Sequence, residues 1–575
     1  MLPAVLYHVV LAMVTQQHSS TSNLPSEATV ILRDVFGFST FRPHQEQIIG
    51  CVLRGESTLA VLPTGAGKSL TYQLPAQLLP QATVVISPLI ALMKDQVDRL
   101  PPAVQERATI INSTLTTGEV RDRLRAIAAG KYKLVYVAPE RLRQRSFLFA
   151  LRHCGVSRLV IDEAHCISLW GPHFRPDYLF INRAMNELGQ PPVLAVTATA
   201  ASDTIHTLQT MIGPLAVVQA PVFRPNLFFQ VIRVRPGISK ARSLIELCRK
   251  INGSIIVYAR ARQTCEDLAL ELRSAGVAAD HYHALHPDRA GVQERFMNGK
   301  TRVLVATVAF GMGVDKADIR AVIHYNLPAS LEAYYQEAGR AGRDGLPAHC
   351  ILFFSESDAR VLRTWLQSTT ITRENLRELY RQVRRTITYP AGVIDLDALQ
   401  SQFGTDGEVL TRVGISVLEQ VGLLKRHFDL PLAAVVERTG TVVATDWLHH
   451  LPREAIEIDL MLLAHQHNIP VAHIEAVLLE AQASGLLRYQ PGLRLPLIEL
   501  LPPPADAGER VEGWLERFRQ YQEQRIEAMV DYACSQRCRH QMLVTYFGQQ
   551  LAACRTGCDV CSSSRALKVG RREWH

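Results

Sequence analysis

What this sequence lacks narrows it first. No stretch reaches the ~18 uninterrupted apolar residues that a bilayer-crossing helix needs, so no membrane anchor is expected. The apolar stretch from Leu2 to Val14 is too short to span. It also lacks a basic leader and a small-residue cleavage site, and reads as a misplaced start or a loose arm in preference to a signal peptide. Charge imbalance is small: 62 Lys+Arg against 54 Asp+Glu leave +8, which suits a polyanionic partner but does not demand one. Cysteine is scarce over the first 350 residues, where Cys51, Cys154, Cys166, Cys248, Cys265 and Cys350 stand singly and read as small buried hydrophobes.

What is present describes a folded, multidomain chain. With 47% hydrophobic and 20% charged residues the composition is that of ordinary globular protein. Its 575 residues exceed one compact core, so roughly three or four domains are expected. Apolar β-branched runs at Thr58–Leu62, Thr83–Ile86, Lys133–Val137, Arg158–Ile161 and Val193–Thr197 alternate with helical patterns, the rhythm of a parallel sheet covered by helices. The rhythm restarts after Pro225 with Ser254–Tyr258, Arg302–Ala306, Ala321–His324 and Cys350–Phe354. Two such α/β units in tandem would enclose a cleft.

The strand rhythm stops after Ser355. A polar helical stretch, Ala359–Ile387, leads into a segment with a weak internal echo: Val421-Gly-Leu-Leu-Lys-Arg426 and Ser484-Gly-Leu-Leu-Arg-Tyr489. Helices closed by a β-like tail suggest winged-helix-like units. Pro502-Pro-Pro504 precedes a charged helix, Gly508–Tyr532, then a cysteine cluster and a basic tail holding Arg565, Lys568, Arg571 and Arg572.

Three motifs carry chemistry. The first strand runs into Pro63-Thr64-Gly65-Ala66-Gly67-Lys68-Ser69, whose glycines let backbone N–H groups approach phosphate oxygens at a helix N-terminus. Lys68 would reach the β- and γ-phosphates and Ser69 would help hold magnesium. The full phosphate-loop pattern wants glycine where this chain has Leu62, so a plain glycine-rich turn is the alternative. Leu159-Val-Ile-Asp-Glu-Ala-His165 ends a buried strand with two acids: Asp162 for magnesium and Glu163 as general base on the attacking water. A structural ion pair is the bland reading. In Tyr335-Gln-Glu-Ala-Gly-Arg-Ala-Gly-Arg-Asp344, Arg340 and Arg343 lie three apart, on one side of a helical turn, and can face the γ-phosphate from the second unit. Against this stands a solvated basic turn.

In this order the residues resemble the RecQ helicases of superfamily two. Phe36-Gly-Phe-Ser-Thr-Phe-Arg-Pro-His-Gln45 is similar to the family's motif upstream of the phosphate loop, which implies that Arg42 and Gln45 contact the adenine side of ATP. Ser87-Pro-Leu-Ile-Ala-Leu-Met-Lys-Asp-Gln96 and Tyr136-Val-Ala-Pro-Glu-Arg-Leu142 resemble DNA-contacting motifs, and Ala195-Val-Thr-Ala-Thr199 resembles the one that links hydrolysis to unwinding. Val305-Ala-Thr-Val-Ala-Phe-Gly-Met-Gly-Val-Asp315 is similar to the fifth motif. The resemblance places Gln336 with the catalytic group and Asp315, with Leu62, Pro63, Thr64, Gly65, Ala66, Gly67, Lys68 and Ser69, at the nucleotide. The family's aromatic-rich loop is altered here to Leu169-Trp-Gly-Pro-His-Phe-Arg-Pro176. Trp170, Phe174 and Arg175 remain for stacking and DNA contact, but Leu169, Pro172 and His173 stand where the family has Gln, His and Asp, so weaker or altered coupling without loss of activity is expected; the two aromatics as plain core is the alternative. Lys94 joins them from motif position.

Five cysteines crowd the C-terminal part. Cys538, Cys554, Cys558 and Cys561 suit a tetrahedral thiolate site with zinc as the default ion, and a redox pair at Cys558 and Cys561 is the rival. Cys534 falls where the family often has a cysteine that is not a ligand. The run from Cys538 to Gly548 resembles the family's zinc-binding helix. Because roughly 110 residues separate the first helices from the cysteines, the arrangement resembles a short bacterial type without the C-terminal nucleic-acid-binding module.

The expected architecture is therefore α/β. A 1–30 arm precedes two tandem RecA-like lobes at 31–220 and 221–358. A helical and winged-helix-like segment follows at 359–505, then a charged helix with a zinc module at 506–564 and a basic 565–575 tail. The expected activity is ATP-dependent 3′→5′ translocation on single-stranded DNA with duplex unwinding, in recombination and repair. ATP, magnesium and zinc are the cofactors. Single-stranded and duplex DNA are the partners, a single-stranded-DNA-binding protein is a candidate partner, a monomer is favoured over an oligomer, and the place is a bacterial cytoplasm at the nucleoid. An RNA-directed helicase and a non-catalytic DNA-binding scaffold are the rival readings.

Overall fold

The computed structural model describes residues 24–63, 65–167, 176–234, 239–311, 316–368, 370–387, 390–404, 407–440, 447–552, 554 and 557–568. Lobe 1 is built on seven strands: β1 (Thr58–Val61), β2 (Ala82–Ile86), β3 (Ala108–Ile111), β4 (Leu134–Val137), β5 (Val156–Ile161), β6 (Val193–Thr197) and β7 (Ala216–Gln219). They are all parallel, in the order β3-β4-β2-β5-β6-β1-β7. β1, β2, β4 and β6 are buried along their whole length, because helices cover both faces and each strand must be apolar on both sides.

Lobe 2 repeats the design with six parallel strands. They are β8 (Leu227–Arg233), β9 (Ser254–Tyr258), β10 (Ala279–Tyr282), β11 (Val303–Ala306), β12 (Ile319–His324) and β13 (Ala348–Phe354), in the order β10-β11-β9-β12-β13-β8. The apolar runs named from the sequence all form strands, whereas β8, although apolar and largely buried, was not among them. The half-buried or polar strands β3, β7 and β10 gave weaker sequence signals.

Beyond lobe 2, helices Glu356–Ser368 and Arg373–Thr386 lead into two winged-helix-like units. The first has helices Leu396–Ser401 and Gly407–Gln420 and an antiparallel sheet of β14 (Ala391–Val393), β15 (Leu424–Arg426) and, from far downstream, β21 (Leu497–Leu500). Within the chain span of that sheet sits the second unit. Its helices are Leu460–Gln466 and Val471–Ala483, with β17 (Ala433–Arg438), β18 (Ile456–Asp459) and β19 (Leu487–Pro491) forming one sheet and β16 (Leu430–Pro431) pairing β20 (Arg494–Leu495). The two Gly-Leu-Leu echoes are the helix ends. Gly422 (φ 80°) and Gly485 (φ 71°) take the left-handed turn, and the next N–H closes back on Leu418 and Ala481 at 3.0 and 2.9 Å.

Charge fastens this insertion to lobe 1. Arg143 sits between Asp177 (3.2 Å) and Asp429 (3.6 Å), Arg183 pairs Glu419 at 2.9 Å, and Arg494 pairs the buried Glu475 and donates to Ser146 Oγ at 3.0 Å. Phe428 meets Phe180 edge-on with ring centroids 5.2 Å apart.

The long helix Ala507–Cys534 then returns to lobe 2. Its Ile526, Met529 and Tyr532, with Leu543, Val544, Phe547 and Cys558, share one apolar core with lobe 2, so the cysteine module is part of that lobe's packing. It also caps the sheet edge: Phe229 N donates to Gly557 O (3.1 Å), and Asp559 N to Phe229 O (3.0 Å), satisfying the exposed side of β8.

Candidate functional site

The chemistry-bearing residues of lobe 1 gather at the carboxyl ends of its strands, where a parallel sheet opens. β1 delivers the glycine-rich loop. Gly65 (φ 86°) and Gly67 (φ 80°) adopt the left-handed conformation that lets the loop fold back before the helix beginning at Leu70. Arg42 donates to Gly65 O, and Gln45 Nε2 donates to Ala66 O (3.2 Å) and Gly67 O (3.0 Å). Both side chains brace the loop's carbonyls. Thr64 lies outside the described residues.

β5 ends in Asp162 and Glu163. Asp162 is buried. It accepts from Ser87 Oγ at the end of β2 (3.2 Å) and from Glu163 N (3.0 Å), while its carbonyl accepts from Tyr178 OH (3.0 Å). Burial first, then the adjacent Glu163 carboxylate, pushes its acid up to about 6, with Lys68 opposing. Glu163 holds φ 49°, a left-handed conformation that costs a non-glycine residue on the order of 1–3 kcal/mol. His165 Nδ1 stands 3.3 Å from Glu163 Oε2 and 3.2 Å from Thr197 Oγ1 at the end of β6, joining the acid to the Ala195–Thr199 run. Burial lowers the His165 pKa, with the Glu163 carboxylate opposing.

Lobe 2 supplies the opposite wall. The helix Leu331–Ala338 ends before both arginines, so Arg340 and Arg343 stand on a turn and not on one face of a helix as their spacing suggested. They separate in space. Arg343 lies against the glycine-rich loop at Gly65, whereas Arg340 is buried and donates to Gly311 O within lobe 2. Arg224 and Asn226 hold the turn from the interlobe linker through Gly339 O (2.8 Å), Ala341 O (3.1 Å) and Gly342 O (2.6 and 2.8 Å). Glu163, His165, Gln336 and Arg340 line one cavity of about 690 Å³ between the lobes.

The Sγ atoms of Cys538, Cys554, Cys558 and Cys561 lie within 4.8 Å of one another, and the exposed Cys534 is not among them. Four convergent thiols on two turns fit a zinc ion, which would supply tetrahedral cross-linking of the module. Sequence reasoning missed how this module acts at a distance. Gln549 accepts from Val222 N (2.8 Å) and donates to Ala220 O (3.0 Å), both in the interlobe linker, and Tyr546 OH donates to Glu332 (2.5 Å) at the start of the helix that leads to the arginines. No local pattern marks such a glutamine. Ser87 had a signal, as the polar residue ending an apolar strand, but it was read only as part of a DNA-contacting run.

Lys94 is exposed on the helix Ile90–Asp98. Leu169, Trp170, Phe174, Arg175 and Asp315 lie outside the described residues. The loop's downstream flank is nevertheless anchored twice: Tyr178 reaches Asp162, and Asp177 pairs Arg143 of the lobe 1–insertion interface.

Comparison with known proteins places these motifs. Residues 42–208 match the DEAD/DEAH box helicase family, 239–345 the helicase conserved C-terminal domain, and 509–562 the RecQ zinc-binding family. The chain is 40% identical over 360 residues to a probable ATP-dependent DNA helicase RecS of Bacillus subtilis, covering 62% of this chain and 72% of that protein. It is 40% identical over 379 residues to a putative ATP-dependent DNA helicase Q1 of Caenorhabditis briggsae (63% and 61%). It is 41% identical over 346 residues to the ATP-dependent DNA helicase RecQ of Pasteurella multocida (58% and 53%). The matched stretch thus spans less than two thirds of the latter two proteins.

Proposed function

This chain belongs to the RecQ family of DNA helicases, and we propose that it hydrolyses ATP between its two lobes to move 3′→5′ along one DNA strand and part the duplex ahead. The observation that carries the reading is Arg343 of lobe 2 lying against the phosphate loop of lobe 1, with Glu163 and Arg340 on the walls of one cavity. That geometry makes the triphosphate site depend on lobe closure.

In this reading Lys68 neutralises the β- and γ-phosphates and Glu163 accepts the proton of the attacking water. Arg343 meets the charge that develops on the transferred phosphoryl group. Arg340 holds the fifth-motif backbone and Gln336 faces the cavity. Arg42 and Gln45 stiffen the loop and remain in reach of a nucleotide base. Magnesium at Ser69 and Asp162 would supply positive charge to the phosphate oxygens, and the oriented, buried Asp162 carboxylate fits it. His165 relays the state of Glu163 to Thr197. Trp170, Phe174, Arg175 and Lys94 are assigned to the DNA path by motif position.

Work in recombination and repair, contact with a single-stranded-DNA-binding protein, a monomeric state and a place at the bacterial nucleoid belong to the same proposal, supported by the bacterial relatives' likeness. The test is unwinding of 3′-tailed, 5′-tailed and forked duplexes, with ATP and with a non-hydrolysable analogue. ATP-dependent unwinding of the 3′-tailed duplex is expected. Unwinding only from a 5′ tail, or ATPase stimulated by single-stranded RNA and not DNA, overturns it.

A further inference from the structure

Lobe 2 carries a second cluster of metal-binding side chains far along the chain from the four cysteines. β10 and the turn after it read Asp280-His281-Tyr282-His283-Ala284-Leu285-His286, and Glu266 faces them from the helix Arg262–Ser274. One donor atom each of Glu266, His281 and His283 lies within 4.8 Å of the other two. His283 is only 5% exposed, and its Nε2 is 2.9 Å from Glu266 Oε1. The buried Nδ1 atoms of His281 and of His283 have no hydrogen-bond partner among the described residues.

An orphaned imidazole nitrogen such as His281 Nδ1 is costly in a folded protein, and His283 presents its Nε2 to Glu266 beside it. A borderline-soft divalent ion repairs that cost, because imidazole and carboxylate are its ordinary ligands. The 2.9 Å separation of His283 and Glu266 suits either a hydrogen bond or two neighbouring donors on one ion. The adjacent set of Asp280, His281 and His286 is the weaker choice. There Arg295 already binds the Asp280 carboxylate at 2.9 Å, and His286 Nδ1 accepts from Asp288 N at 3.1 Å.

We propose that Glu266, His281 and His283 form a second transition-metal site, of two imidazoles and one carboxylate, that stiffens the lobe-2 wall of the interlobe cavity. The link to the cavity is short. Ala284, next to His283, and Thr307, whose N–H donates to Tyr282 O at 3.1 Å, both line it.

The test uses the full-length, untagged protein. It is equilibrated with zinc, freed of loose metal by gel filtration and assayed for bound metal. Two equivalents per chain are expected, falling to one in Glu266→Gln and in His281→Ala, with the four-cysteine equivalent retained as the sign that lobe 2 is folded. Loading with cobalt distinguishes the sites: the second equivalent should add visible absorption without thiolate-to-metal charge transfer. Added zinc should raise the melting temperature of the wild type above that of either variant. One equivalent in the wild type, a second equivalent that survives both substitutions, or a second equivalent with thiolate charge transfer each overturns the proposal.

Discussion

Arg343, the last arginine of lobe 2's turn, packs its aliphatic stem on Gly65 of lobe 1: a Cβ added to that glycine would stand 3.3 Å from Arg343 Cδ. The contact joins the glycine-rich loop of lobe 1 to the turn of lobe 2. In the proposed function it couples hydrolysis to lobe closure.

If so, Arg343→Ala should lower kcat for ATP by roughly 10³-fold or more, the scale at which such arginines act, with a much smaller change in KM. Arg343→Lys should recover little, since an ammonium lacks the planar fork. Steady-state ATPase with saturating single-stranded DNA decides it, and a loss under tenfold would remove Arg343 from the transition state.

The acid at Asp162 makes a stability prediction of defined sign. Its folded-state pKa, about 6, lies above the ordinary 3.8, so the folded form holds the proton more tightly and loses stability as pH climbs between those values. Above pH 6 the cost is fully present. Asp162→Asn should therefore stabilise the metal- and nucleotide-free protein by on the order of 2 kcal/mol at pH 7.5 and by little near pH 4, while abolishing turnover. Calorimetric melts at the two pH values test this; equal shifts would refute it.

Zinc removal should loosen the motor and not only the module. Cys558 pairs its backbone with Phe229 on the β8 edge, and the module's apolar residues complete lobe 2's core. Cys558→Ser should cost one zinc equivalent, lower the melting temperature and depress ATPase through the helix Leu331–Ala338. Cys534→Ser should do none of these. Metal analysis beside thermal melts reads both.

At the docked insertion, Glu475 is 1% exposed and neutralises the largely shielded Arg494. Glu475→Ala should destabilise by about 3 kcal/mol because it strands a largely shielded cation, while Glu475→Leu with Arg494→Met should cost far less. Hydrogen exchange across 430–500 should rise only in the single variant.

Much of the site was readable along the chain because its parts are local. A glycine-rich loop, two acids at a strand end and four thiols at metal spacing each declare their chemistry within a few residues. Other features had no local signal. The echo of Gly-Leu-Leu marked two similar units, yet β21 returns from beyond the second unit to close the first sheet, and nothing in either repeat records that nesting. Arg340 and Arg343 looked equivalent by spacing. A helix ending at Ala338 and Gly342 at φ 56° send them to different partners.

The sequence alone determined which local groups come together, the glycine-rich loop at a strand end, the paired acids and the four-cysteine spacing, because these are short-range requirements. Tertiary structure decided which lobe each group reaches across to, that Gln549 grips the interlobe linker, and that β10's histidines converge on Glu266. Those relations depend on how strands order in a sheet and how helices pack over it, and residues distant along the chain leave no mark on one another's neighbours in the sequence.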